Sequence, residues 1–111
     1  MARTKLSLNG LRFDLIPTYG MVKVAEVYTV GAKKHGENSW RHGLKVSYCL
    51  SKLFRHLYRW MRGERFDKED GQHHLGSVVF WAMALMEFES DREWNDYHHD
   101  TEFESMNKEG V

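Results

Sequence analysis

Apolar residues recur along this chain at helical spacing in three long blocks, separated by short polar stretches rich in glycine. From Pro17 to Lys34, the positions Met21, Val24, Ala25, Tyr28 and Ala32 fall three or four residues apart, which places them on one stripe of a helix. Pro17 suits the first turn, where a missing N–H costs nothing, while Lys33, Lys34 and His35 set cations at the opposite, electronegative end. Gly36 can take the left-handed cap that closes it. A second helix is predicted over 46–62, with Leu50, Leu53, Phe54, Leu57, Tyr58 and Met61 as its apolar stripe. The third, over 72–92, is the most apolar, carrying Leu75, Val78, Val79, Ala82, Leu85, Met86 and Phe88, with Asp70 placed to cap it. Ahead of these blocks, Leu6, Leu8, Leu11, Phe13, Leu15 and Ile16 come mostly at alternate positions, the period of a strand. Residues 1–16 are therefore expected to form a short extended arm lying across the helices or a neighbouring subunit. The expected architecture is all-α: a bundle of three main helices over 17–94, followed by a polar tail over 95–111.

Size and composition narrow the picture. A chain of 111 residues makes one small domain with a limited core, so the bundle is expected to be completed by homo-oligomerisation. An apolar fraction of 41% with 14% aromatics is too rich for a disordered chain. Lys plus Arg balances Asp plus Glu at 16 each, which argues against a partner made of polymeric nucleic acid. The charges are segregated, though: residues 33–62 are rich in Lys, Arg and His, and 87–104 are mostly acidic. The single cysteine, Cys49, allows no intrachain disulfide and fits a reducing compartment. No apolar run approaches the ~20 residues of a membrane helix, and the basic start Met1–Lys5 leads into a stretch too polar for a signal peptide. A soluble cytoplasmic protein is expected.

Candidate chemistry concentrates between Arg55 and His74. Arg55, Arg59 and Arg62 follow helical spacing on a face apart from the apolar stripe, with His56 beside them. A basic stripe of this kind is commonly solvated; arginine also suits phosphate, because its planar fork donates two hydrogen bonds at once. Gly63 ends the helix, and Glu64, Asp67, Glu69 and Asp70 follow within seven positions. Glu64 and Asp67, three apart, share a face if a helical turn continues there. Clustered oxygen donors are what Mg²⁺ or Mn²⁺ requires, and the calcium-loop spacing is absent. An acidic turn alone is more often solvated than metal-bound; His73 and His74, just beyond it, shift that balance. No H-E-x-x-H, C-x-x-C or phosphate-binding glycine loop occurs. Upstream, the loop 35–45 carries Asn38, which can read a base edge or cap a helix, and Trp40, which can stack on a base or plug the loop onto the core. With Lys33 and Lys34 just before it, this loop is a candidate for holding a charged, aromatic ligand. Glu26 lies off the first apolar stripe, either solvated or turned toward a site shared with another helix.

The segments F-D-L-I-P (Phe13–Pro17), G-A-K-K-H-G-E-N-S-W (Gly31–Trp40), R-H-L-Y-R-W (Arg55–Trp60), G-E-R-F-D-K-E-D-G (Gly63–Gly71) and H-H-L (His73–Leu75) occur in an order and spacing that resemble a phage and bacterial family, the dATP/dGTP diphosphohydrolases. That family is related to the MazG-like all-α nucleoside triphosphate pyrophosphohydrolases. The resemblance implies a helical fold, Mg²⁺ or Mn²⁺, and cleavage of a purine deoxynucleoside triphosphate to monophosphate and pyrophosphate, in the host cytoplasm for a phage-encoded protein. Position by position, Glu64, Asp67 and His74 fall in the family's acidic and histidine motif, as catalytic and metal-binding residues. Lys34, Asn38, Trp40, Arg55 and His56 fall in its other shared segments; with Lys33 and Arg59 they make the expected substrate-binding set. Relatives carry a second histidine or an asparagine in the helix after the H-L pair, where this chain has Ser77 and Trp81. The E-x-x-E pair of MazG enzymes is also absent ahead of Glu64. Two other classes stay open: a non-catalytic protein that binds or sequesters nucleotide, and a small oligomeric interaction module.

Overall fold

The computed structural model of the protein describes residues 8–37 and 45–90. Three α-helices carry it: α1 (Thr18–His35), α2 (Val46–Met61) and α3 (His74–Ser90). The all-α expectation holds, and each helix begins within two residues of its predicted start. Pro17 is the residue just before α1, with its carbonyl accepting the Met21 N–H at 3.1 Å. Gly36 closes α1 at φ 92°, and its N–H donates to the Ala32 carbonyl.

α3 is the central element, with both α1 and α2 packed on it. Ring contacts give the directions. Tyr48 meets Trp81 and His56 meets His74, so α2 and α3 form an antiparallel hairpin. Tyr19 meets His73 and Tyr28 meets Phe80, so α1 runs the same way as α3. A single glycine lets α1 approach closely. A Cβ at Gly76 would sit 3.0 Å from the Lys23 carbonyl oxygen and 3.3 Å from Val27 Cγ2.

This close approach fixes the inward face of α1 and rotates it from the predicted stripe. Val24, Tyr28 and Ala32 are half-buried as expected, whereas Met21 and Ala25 are exposed; Lys23, Val27, Val30 and Gly31 are half-buried as well. α2 departs in the same manner. Its buried positions are Ser47 and Cys49, while the apolar residues Phe54, Tyr58 and Met61 are more than half exposed. The core among the described residues centres on Cys49 and Phe88, with Val46, Trp81 and Leu85 packed around them.

The described part of the N-terminal arm is not extended. Leu8–Gly10 and Phe13–Leu15 are 3-10 turns. Alternating apolar residues suggest a strand, but a strand must pair to satisfy its backbone, and the described chain contains no strand. The backbone bonds to itself instead, Leu11 N–H to Leu8 O, Leu15 N–H to Arg12 O and Ile16 N–H to Phe13 O, at 3.1–3.3 Å.

The α2–α3 connection is the most tightly tied segment. Gly63, at φ 99°, donates to the Trp60 carbonyl, and Glu64 N–H reaches back to Arg59 O at 3.0 Å, the paired bonds of a Schellman end. The chain then folds on itself. Asp67 N–H donates to Gln72 O and Gly71 N–H to Asp67 O, each at 2.8 Å, and Phe66 bridges to His73. Asp70 does not cap α3: its Oδ1 accepts the Gln72 N–H at 3.0 Å, and His73 Nδ1 takes the Leu75 N–H at the true helix start.

Candidate functional site

Because α2 and α3 are antiparallel, residues late in α2 face residues early in α3. His56 and His74 do so, with their Nδ1 atoms 2.9 Å apart. His74 is wholly buried at the head of α3, fixed by its N–H bond to the Arg65 carbonyl. Asp67 reaches the pair from the connecting segment, although no helical turn continues from Glu64 to carry it there. The Asx-type bond from Glu69 N–H to Asp67 Oδ1 at 2.8 Å orients the carboxylate. Its other oxygen lies 3.9 Å from His56 Nδ1 and 4.0 Å from an Arg59 guanidinium nitrogen. One donor atom from each of His56, Asp67 and His74 lies within 4.8 Å of the others.

Glu64 approaches from the far side of the His74 ring, with Oε1 3.4 Å from Nε2. The angle is not that of a hydrogen bond, so this fully buried nitrogen has no hydrogen-bond partner among the described residues. Buried polar nitrogens in that condition are uncommon. Burial, reinforced by the neighbouring His74 and partly opposed by Asp67, pulls the His56 pKa below its ordinary value. His56 therefore stays neutral near pH 7, the state in which an imidazole binds a metal ion.

The two Nδ1 atoms stand at the length of a hydrogen bond between the rings, a spacing that an ion could also bridge. Two ligand atoms about 2.1 Å from a common ion and at right angles stand about 3.0 Å apart, close to the 2.9 Å between the two Nδ1 atoms. Two imidazoles with one carboxylate are a mixed nitrogen and oxygen set. Such a set suits a first-row transition ion better than Mg²⁺, which prefers oxygen alone.

His56 and Asp67 of this cluster line a cleft of about 420 Å³ walled by α1, α2 and α3, while His74 lies buried behind them and does not line it. Lys52, Arg55 and His56 line it from α2, and Lys34 from the last turn of α1. Lys34 Nζ is 3.5 Å from Asp70 Oδ2, tying α1 to the connecting segment. Away from the histidines along α2 and α3, the lining turns apolar and aromatic, with Val27, Tyr48, Phe80 and Trp81.

The expected residues divide accordingly. Asp67 and His74 come together with His56, which the sequence placed on the substrate side; Glu64 touches the His74 ring rather than joining the trio. Arg55 and Lys34 line the cleft, and Arg59 flanks Asp67. Lys33 is exposed and does not line the cleft. Asn38 and Trp40 lie outside the described residues. Glu26 is half-exposed and paired with Lys23 at 3.0 Å, the solvated alternative. Lys52 and Tyr48 were missed, yet they stand four and eight residues before His56 and so share its helix face.

Residues 2–98 match the family described as dATP/dGTP diphosphohydrolase, N-terminal. The chain belongs to this family. A curated relative from Salmonella phage PMBT28, named dATP/dGTP diphosphohydrolase, is 28% identical over 101 residues; the match covers 79% of this chain and 34% of that protein. The chain thus spans about a third of the length of its phage relative. No solved structure matches it. Within the matched residues, this fold gathers the chain's own Arg55–His56, Glu64–Asp67 and His73–Leu75 segments around His74.

Proposed function

We propose that this chain binds a purine deoxynucleoside triphosphate and hydrolyses it, with a divalent ion, to the monophosphate and pyrophosphate. The observation that carries this reading is the His56–Asp67–His74 cluster, whose His56 and Asp67 line a cleft that also presents Lys34, Lys52 and Arg55. Carboxylate and imidazole donors beside a row of cations answer the two needs of phosphate chemistry, positioning and neutralisation of charge. The phage relative's name agrees in substrate and in reaction.

His56, Asp67 and His74 would hold the ion, and Mn²⁺ fits their mixed donor set better than Mg²⁺. Such an ion, when bound, withdraws charge from phosphate oxygens and acidifies water. The chain's own groups do the rest. Arg55, Lys52 and Lys34 bind the phosphates by charge-assisted bonds, and Lys34 leaves Asp70 to do so. Glu64 beside Nε2 favours the tautomer of His74 that carries its proton there, which frees Nδ1 as a donor atom. The connecting segment, pinned by the Asp67 and Gly71 backbone bonds, holds Asp67 at the cleft.

The exposed Phe54, Tyr58 and Met61 lie four and three residues apart on α2 and form one outward stripe. A second copy of the chain covering this stripe would complete the bundle as a homo-oligomer. Among the described residues, no helix is long and apolar enough to cross a membrane.

Incubating the full chain with dATP, dGTP, dCTP and dTTP, with Mn²⁺ or Mg²⁺, and separating the products by ion exchange tests the reading. Purine monophosphate and pyrophosphate are expected, formed faster with Mn²⁺. Binding without turnover would instead favour a nucleotide-sequestering protein.

A further inference from the structure

The cleft is chemically divided along its length, and its apolar end is not used by the chemistry above. Seven residues separate His74 from Trp81 on α3, a rise of about 10 Å, or two helical turns. Eight residues separate His56 from Tyr48 on α2, in the opposite chain direction. The hairpin therefore carries both aromatic residues to the same place, away from the histidines, where their ring centroids are 5.9 Å apart. Phe80 adds a third ring, 5.0 Å from Trp81. All three line the cleft.

We propose that Trp81, braced by Tyr48 and Phe80, is the platform on which the base of the nucleotide stacks. The inference rests on the nucleotide-binding reading above and adds the orientation of the ligand: phosphates toward His56 and Asp67, base toward Trp81. Three observations support it. Tyr48 and Phe80 meet Trp81 at interplanar angles of 79° and 84°, so neither ring lies parallel to the indole as a stacked base would. Trp81 is packed against the Cys49–Phe88 core, which holds the indole in place without need of ligand. Lys52, which lines the cleft between the two ends, has its Nζ 5.2 Å from the Tyr48 ring, so the charged lining gives way to the aromatic lining within one turn of α2. A flat, pre-ordered indole at that distance from a phosphate site matches a ligand with an anionic end and an aromatic end. Stacking is tolerant of sequence because every base has a π-face, and the larger face of a purine gains more from it.

The test separates the two ends of the ligand. Dissociation constants for dGTP and for inorganic tripolyphosphate are measured by calorimetry on the full chain with Mg²⁺, in wild type, Trp81→Leu and Trp81→Phe. Trp81→Leu is expected to weaken dGTP about tenfold or more and leave tripolyphosphate unchanged, with Trp81→Phe recovering much of the loss. A second readout needs no destabilising change: dGTP should quench tryptophan emission of the wild type, tripolyphosphate should not, and Trp81→Phe should remove the quench. Equal weakening of both ligands, or unchanged dGTP affinity with the quench intact in Trp81→Phe, overturns the platform while leaving the phosphate site standing. A wild-type chain that binds tripolyphosphate and dGTP equally well also overturns it. One that binds neither ligand overturns the nucleotide reading itself, and the platform with it.

Discussion

Replacing Asp67 with asparagine separates the fold of the connecting segment from its charge. The asparagine oxygen can still accept the Glu69 N–H that Asp67 Oδ1 accepts at 2.8 Å, so the turn survives. What disappears is the negative charge 4.0 Å from Arg59, whose side chain is 42% exposed. Asp67 itself is only 8% exposed, but at 4.0 Å from a partner in solvent the pair is worth no more than about 1 kcal/mol. Against this loss stands relief of repulsion from Glu64, Glu69 and Asp70, the other carboxylates of the same segment. The stability of Asp67→Asn without metal should therefore lie within about 1 kcal/mol of wild type. The response to metal should differ far more. An ion bound only by the folded state adds about 2.7 kcal/mol when its concentration is 100 times Kd. For a domain near this size that corresponds to a rise of about 10 °C in Tm, at about 4 °C per kcal/mol. Differential scanning fluorimetry of both proteins across a Mn²⁺ titration reads the two effects separately. A wild-type rise that is absent or shifted to much higher Mn²⁺ in Asp67→Asn is expected. The same rise in both proteins would refute Asp67 as a ligand, and an early collapse of the metal-free variant would make its role structural.

Other perturbations probe different links of the argument. Gly76→Ala should destabilise the fold by about 1–3 kcal/mol in urea titrations despite alanine's better helix propensity, because its Cβ would press on the Lys23 carbonyl and Val27. Arg55→Ala should weaken binding of dGTP by about 1.5–3 kcal/mol in calorimetry through loss of a charge-assisted contact. Lys34→Ala should cost less, since Lys34 must first give up Asp70. Burial, the main cause, holds the pKa values of His56 and His73 below the ordinary 6.5. A histidine depressed in the folded state contributes stability above its unfolded pKa, and that contribution is lost as pH falls through the lower folded value. The urea midpoint of the metal-free protein should thus fall as pH drops from neutrality to about 5, less steeply in His56→Gln.

Much of the fold was legible in the residues themselves. Local chemistry sets where a helix starts and stops: Gly36 and Gly63 close α1 and α2 at positive φ because no side chain opposes that conformation. The site was partly legible for the same reason, since Asp67 and His74 stand in one short segment of distinctive composition. Which face of each helix turns inward was not legible. α2 carries apolar residues on more than one side, and periodicity alone cannot tell the stripe that meets α3 from the stripe left outside.

His56 shows most plainly where sequence ends. Beside Arg55 and Arg59 it reads as one more basic group on a phosphate-facing helix, eighteen positions from the histidine it touches. Only the antiparallel turn between α2 and α3 brings the two Nδ1 atoms to 2.9 Å and lets Asp67 reach them. Trp81 and Tyr48, thirty-three positions apart, likewise become neighbours through that same turn. By itself the sequence determined three helices, their ends and the residue types available for chemistry, because hydrogen bonding and side-chain periodicity act over a few positions. The tertiary structure alone decided which of those residues share a site, because that depends on how close α1 and α2 can come to α3, and there a missing Cβ at Gly76 and a tied twelve-residue segment, 62–73, set the distances.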